Sequence, residues 1–204
     1  MKRRKDAAQI KKDIAHQIKD LFSQKGYNAT SMEEVCKVTG RSKGSIYYHF
    51  KSKEEMFMYL IKLNNEEWME AWMGKEAAYV TTREKLFALA DHYVDDMNNP
   101  LSHAINEFMS SQVVTESMLN DMLELTRLPY ITYEQLITRG MERGELKKDS
   151  SSDVMYVLTG LFNGMSMLYY EKDLEEIRRL YKKGLEILLA GMEAPNQVIM
   201  TEED

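Results

Sequence analysis

The chain has 204 residues, of which 44% are apolar and 29% charged, enough for one large domain or a small domain docked on a medium one, and too apolar for disorder to be its main state. Only three prolines occur, Pro100, Pro129 and Pro195, so long uninterrupted helices are permitted, and a sandwich or barrel with its frequent turns is disfavoured. The net charge of -6 is unevenly spread: residues 1–55 hold 13 Lys+Arg against 7 Asp+Glu, residues 56–204 hold 14 against 26. Either this is ordinary solvated surface charge, or a basic head meets phosphate while an acidic body is repelled from it.

The first 28 residues place Ala7, Ile10, Ile14, Ile18, Leu21 and Phe22 at three- and four-residue steps, which predicts an amphipathic first helix ended by Gly26. Thr30 precedes Glu33, and Ser31 precedes Glu34, by the three residues of a capping box, and either can open a short second helix over about 32–38 that stops at Gly40. Ser42 caps a third helix to about Phe50, and Ser52-Lys-Glu-Glu55 opens a long fourth through Trp68 and Trp72. Further helices are predicted at 82–98, stopped by Asn98-Asn99-Pro100, at 101–112 and at 115–143, where Pro129 predicts a kink or break and Gly144 the end. Asp149-Ser-Ser-Ser-Asp153 caps a helix over 153–170, and Leu174 to Leu189 mark a last one to about 191. No strand or internal repeat is visible.

The single Cys36 cannot form an intrachain disulfide and reads as a small buried hydrophobe, and 16 Met suit a reducing interior, so cytoplasm is the expected compartment. The basic start Lys2-Arg3-Arg4-Lys5 has no apolar stretch behind it and predicts no export; it could instead touch DNA phosphates or remain solvated. The run Val157–Tyr170 is too short for a bilayer. His92 and His103 lack metal-ligand spacing, and no nucleophilic motif is present, so no metal, cofactor or catalytic residue is expected.

Two short helices joined by a tight Gly-containing turn, in a basic segment braced by a longer helix, have the layout of a helix-turn-helix. Ile46 and Phe50, four apart, face the small core. Lys43, Ser45, Tyr47, Tyr48 and His49 are left for DNA, and Gly44 allows the backbone a close approach. At Gly26-Tyr-Asn-Ala-Thr30 and Gly40-Arg-Ser-Lys-Gly-Ser-Ile-Tyr-Tyr-His-Phe-Lys-Ser-Lys-Glu-Glu-Met56 the sequence strongly resembles the DNA-binding region of TetR-family transcriptional regulators. That resemblance implies an all-α homodimer, with a three-helix DNA-binding head on a helical effector-binding body, released from operator DNA by a small molecule. It implies DNA contact by Thr30, Ser31, Arg41, Ser42, Lys43, Gly44, Ser45, Tyr47, Tyr48, His49 and Lys53; Arg41 stands where many members carry a small apolar residue. The expected divisions are 1–52 for the head, 53–194 for the body and 195–204 for a flexible tail. Gly140–Leu146 looks like the family's connection into its two dimerising helices.

Similarity to the QacR-type multidrug-sensing branch runs further, through Glu67-Trp-Met-Glu-Ala-Trp72, Thr82-Arg-Glu-Lys85, Pro100–Ile105 with Glu107-Phe108, and Asn163-Gly164. It implies an effector set of Trp68, Asp96, Ile105, Met122, Leu125 and Asn163. Trp72, on the same helix face as Trp68, and Met109 complete the candidates, with core packing the plainer role for both Trp. Carboxylates of that branch correspond to Asn64, Asn65 and Thr126 here, and its tyrosines to Asn99, Met109 and Pro129. With only Asp96 acidic, a neutral or monocationic hydrophobic effector is expected in place of a dicationic drug. The last two helices are apolar on more than one stripe and predict a four-helix homodimer interface. The alternatives are a metabolic regulator of the same family with a non-drug effector, a helical enzyme, or an architectural DNA-binding protein.

Overall fold

The computed structural model describes residues 2–194, the side chains of residues 2–6, 126 and 128 excepted. The described residues form α1 (Lys2–Ala29), α2 (Met32–Thr39), α3 (Lys43–His49), α4 (Lys53–Glu76), α5 (Thr82–Asp95), a 3-10 turn (Asp96–Asn98), α6 (Ser102–Met109), α7 (Glu116–Glu142), α8 (Ser151–Ser166), a second 3-10 turn (Met167–Tyr170) and α9 (Leu174–Met192). The fold is all-α; the extended pairing found among the described residues is an isolated antiparallel bridge between Leu146 and Glu193. The side chains of the basic arm Lys2–Lys5, candidate DNA contacts, the side chain of Thr126 and the tail 195–204 lie outside what is described.

Helix ends follow local chemistry. Gly40 takes φ 63° after α2, and its N–H returns to the Cys36 carbonyl, so the chain can reverse sharply into α3. Of the two possible caps on α2 the structure uses Ser31, which accepts from the Glu34 N–H while the Glu34 carboxylate accepts from the Ser31 N–H. Ser42, Ser150 and Asp173 cap α3, α8 and α9 one-sidedly, each accepting a backbone N–H without a reciprocal bond from the third helical residue. At α4, Glu55 N–H donates to Ser52 Oγ, but the Glu55 carboxylate reaches back to the Lys51 N–H, one residue earlier than a capping box places it. Helix α7 continues through Pro129 without the expected break. Tyr133, Leu136 and Ile137 on the turns that follow are buried, and that packing offsets the lost backbone hydrogen bond.

Contacts divide the chain into two compact units, Met1–Ala71 with Asn98–Leu128, and Trp72–Met97 with Pro129–Asp204. The boundary expected after residue 52 therefore falls inside the first unit, because α1 packs along α6 as well as against α2. The first unit is built on an aromatic cluster: Phe57 lies 4.7 Å from Phe22, 5.0 Å from Tyr27 and 5.3 Å from Phe108, centroid to centroid, and Tyr27 lies 4.8 Å from Phe108. Ile14, Ile18, Val35, Ile46, Phe50, Met56 and Leu60 close the core around it. Each such ring pair contributes about 0.5–1.5 kcal/mol beyond the area it buries.

In the second unit, α9 turns Ile177, Tyr181, Leu185 and Leu189 inward against α5 and α8. Arg178 fixes the α5–α9 register by donating to Asp91 at 2.9 Å and to Asp95 at 2.8 Å. Gly184 lets α8 come close, since a Cβ there would stand 2.7 Å from the Met165 methyl carbon. Half-exposed ion pairs of this kind contribute about 0–1 kcal/mol each, so the buried stripe does most of the stabilising.

Candidate nucleic-acid interface and effector residues

In the first unit, α2 and α3 stand as a rigid pair. Ile46 and Phe50 are buried in the core, Gly40 and Arg41 both donate backbone N–H groups to the Cys36 carbonyl, and Ser42 Oγ accepts from the Ser45 N–H. Lys43, Gly44, Tyr47 and Tyr48 are exposed, Tyr48 to 82%. A Cβ on Gly44 would meet nothing within 4 Å, so the backbone here is open to an approaching surface. Two aromatic rings and a cation projecting from one short helix suit the phosphates and base edges of duplex DNA.

The other proposed DNA residues divide by burial. Ser31 and Ser42 are exposed but each spends its hydroxyl on a helix cap. Arg41 is half-buried, and its Nε is enclosed without a hydrogen-bond partner. Thr30 is turned inward, 2% exposed, with its hydroxyl donating to the Gly26 carbonyl at 2.7 Å, so its side chain closes α1. Lys53 does not project freely: its ammonium lies 4.2 Å above the Tyr27 ring, and Tyr27 in turn donates to Glu54 at 2.9 Å. Desolvation lowers the Lys53 pKa against the pull of Glu54, Glu107 and Glu34. Glu34 is held down to about 2, first by Lys25 and then by the Ser31 N–H, so the cap of α2 is charged at every physiological pH. His49, half-buried beside Tyr48 with centroids 5.1 Å apart, has its pKa lowered by desolvation and then by the positive charges of Arg41 and Lys11.

The effector candidates fall in both units. In the first, Met122 is buried, Trp68, Ile105 and Leu125 are half-buried and Met109 is exposed. The two asparagines that replace carboxylates have structural work here: Asn65 donates to the Leu125 carbonyl at 3.4 Å, and Asn64 accepts from Asn99 at 3.4 Å. A carboxylate at 65 could not donate that bond. In the second unit, Asp96 is half-buried and Asn163 exposed. Trp72 is fully buried and stacks on His92 at 5.8 Å, so it serves as core and does not extend an open aromatic wall beside Trp68. The second unit also gathers Tyr93, Tyr130, Tyr133 and Tyr181 from α5, α7 and α9, none of them among the residues expected to meet an effector; the three-residue spacing of Tyr130 and Tyr133 on one helix face is the visible signal. Among the described residues no group of three or more His, Cys, Asp or Glu could hold a metal ion, and no helix is long and apolar enough to cross a membrane.

A helix-turn-helix with an outward recognition helix, followed by a larger helical body, defines a DNA-binding transcriptional regulator. The chain belongs to the TetR family: residues 14–60 match the model for bacterial regulatory proteins of the tetR family, and residues 64–194 match that for the C-terminal region of QacR-like proteins. Members of the family are regulators that bind operator DNA, dimerise and bind small-molecule effectors; they are not enzymes. Among curated relatives, the transcriptional regulator QacR of Staphylococcus aureus is 29% identical over 90% of this chain and 98% of its own. UidR of Escherichia coli is 23% identical over 72% of this chain and 71% of its own. Among solved structures, a TetR-family regulator from Mesorhizobium loti superposes with a TM-score of 0.78 at 18% identity, covering 92% of this chain and 98% of that one.

Proposed function

We propose that the protein is a homodimeric repressor that holds a two-fold operator through α2 and α3 and is released by a small hydrophobic effector, neutral or singly charged, bound by its body. The regulated gene is one for efflux or detoxification. The observation that carries the reading is the outward face of α3, where Lys43, Tyr47 and Tyr48 stand exposed on a helix capped at its start and anchored by Ile46 and Phe50. Near full-length similarity to QacR supports the effector-responsive body. Exposed Val157 on α8, Met167 in the 3-10 turn that follows it and Ile187 on α9, together with Gly160, Gly164 and Gly191 whose surroundings are open, support dimerisation through the last two helices.

Effector and operator then compete through one coupling free energy, about 1–3 kcal/mol, because the effector favours a conformer in which α4 is displaced and the two heads are mis-spaced for successive major grooves. The test is a binding assay on promoter fragments from the neighbouring genes, repeated with hydrophobic cations and neutral aromatics. Preferential binding relieved by one class supports the reading, and equal affinity for every fragment at low salt ends it. In the same assay Lys43→Ala weakens operator binding about tenfold and reduces the salt slope by about 1, with the circular dichroism spectrum unchanged. An unaltered affinity removes Lys43 from the interface.

His49 adds a pH dependence. Its lowered pKa leaves the imidazole neutral in the free head near pH 7, and a phosphate oxygen beside it favours the imidazolium, so operator binding takes up a proton. Operator affinity of the parent rises several-fold as pH falls from about 7.5 to about 5.5, and that of His49→Gln rises less. Folding runs the other way: with the folded pKa below the unfolded one, the folded state binds fewer protons, and the stability His49 permits at neutral pH declines as pH falls through its unfolded value. Parallel pH profiles of parent and variant in fluorescence anisotropy would exclude the histidine as the linked group.

A further inference from the structure

Within the second unit, Tyr93 of α5 lies 5.4 Å from Phe162 of α8 and 6.0 Å from Tyr181 of α9, and Phe162 and Tyr181 are 5.1 Å apart, ring centroid to ring centroid. Two hydroxyls of this cluster are satisfied: Tyr93 donates to Asn163 Oδ1 at 3.0 Å and Tyr181 to the Phe162 carbonyl at 2.6 Å. Tyr133 of α7 differs. It is 2% exposed, and its hydroxyl is buried with no hydrogen-bond partner. Burial, and then the hydroxyls of Tyr93, Tyr130 and Tyr181, push its pKa up, so it stays a neutral donor at every pH the protein meets.

An unpaired buried donor weakens a fold, and phenylalanine would fill the same space without that penalty. A ligand that accepts the proton gives the hydroxyl its use. Phenol oxygen is a better donor than acceptor, because its lone pair is drawn into the ring, so the group it suits is an acceptor; with Tyr133, Phe162 and Tyr181 all buried, a charge brought there would be desolvated at high cost, which selects an uncharged one. The surrounding ring faces suit a flat aromatic body. Asn163, exposed and already assigned to the effector set, is tied to Tyr93, and Tyr93 and Tyr130 are half-buried where Tyr133, Phe162 and Tyr181 are enclosed.

We propose that Tyr133 is a specificity-determining residue of the effector site, donating its hydroxyl proton to a carbonyl oxygen, ether oxygen or pyridine-type nitrogen of a neutral planar aromatic effector. This rests on the effector reading above and narrows it to uncharged acceptors.

The matched probes are 9-fluorenone, its hydrocarbon analogue fluorene, and the cation N-methylacridinium, each titrated against full-length parent and Tyr133→Phe and scored by binding and by release of operator DNA. The parent binds fluorenone about tenfold more tightly than fluorene, and Tyr133→Phe loses that preference while binding fluorene unchanged. The ligand-free variant melts at a temperature equal to or above the parent's, which a merely structural hydroxyl bond would not allow. A fluorenone preference that survives in Tyr133→Phe, equal affinity of the parent for both uncharged probes, or binding of the cation alone overturns the subsite while leaving the effector reading intact. Failure of all three probes to bind removes both.

Discussion

Gly26→Ala melts about 5–15 °C below the parent. The backbone at Gly26 has φ 81° and ψ 172°, a region that L side chains enter only at a cost of about 1–3 kcal/mol. A Cβ there would also stand 2.5 Å from Glu107 Oε2 and 2.8 Å from both Oε1 and Cδ. Glu107 must swing away, and it is the acceptor for the Asn28 N–H at 3.0 Å. Strain and the lost bond together come to about 2–4 kcal/mol, and about 2–4 °C per kcal/mol applies to a chain of this size. The double variant Gly26→Ala/Glu107→Ala recovers only the part due to the clash, since the backbone strain remains. Scanning calorimetry checks this, and a melt within about 1 °C of the parent would show that the junction of α1 with α6 relaxes freely. Operator binding falls with stability, because α1 is the brace on which α2 packs.

Gly164→Arg separates the proposed dimer and lowers operator affinity by about a hundredfold or more, with each protomer still folded. Nothing lies within 4 Å of a Cβ built on Gly164 or on Gly160, one turn earlier on α8, so an added side chain does not disturb the protomer. Replacing a helical glycine even favours the helix by up to about 1 kcal/mol. Across a two-fold interface the same arginine meets its own copy and is desolvated without a partner. A lone head then grips one half-site and forfeits the effective concentration that linkage to its twin supplies. Sedimentation velocity and anisotropy on one sample decide it: a variant that remains dimeric with parent-like operator affinity places the contact elsewhere on the surface.

Much of this architecture is legible in the chain because it is encoded within one helical turn. Ser42 and Ser45, Ser150 and Asp153, and the positive φ of Gly40 involve partners no more than four residues apart, and all are readable as caps and stops. The outward face of α3 was readable for the same reason, since Ile46 and Phe50 fix which side is buried. Thr30 and Ser31 show where that reasoning ends. Both have capping-box spacing, and the choice fell to Ser31 because the Thr30 hydroxyl is used on the Gly26 carbonyl and Glu34 is held by Lys25 from the preceding helix.

The roles of the larger side chains needed the folded molecule. Trp68 and Trp72 look equivalent on a helical wheel, yet one is half-buried and the other wholly enclosed against His92 of α5. Lys53 reads as a freely projecting cation until Tyr27, distant in sequence, is found beneath its ammonium. Tyr133 resembles any core tyrosine until its neighbours prove to offer its hydroxyl no acceptor. Periodicity and capping are short-range and survive in the linear code, so helices, most of their ends and the exposed face of α3 could be inferred from it. Burial, ring stacking and the pairing of polar atoms depend on which helices meet, and that is a property of the packed chain.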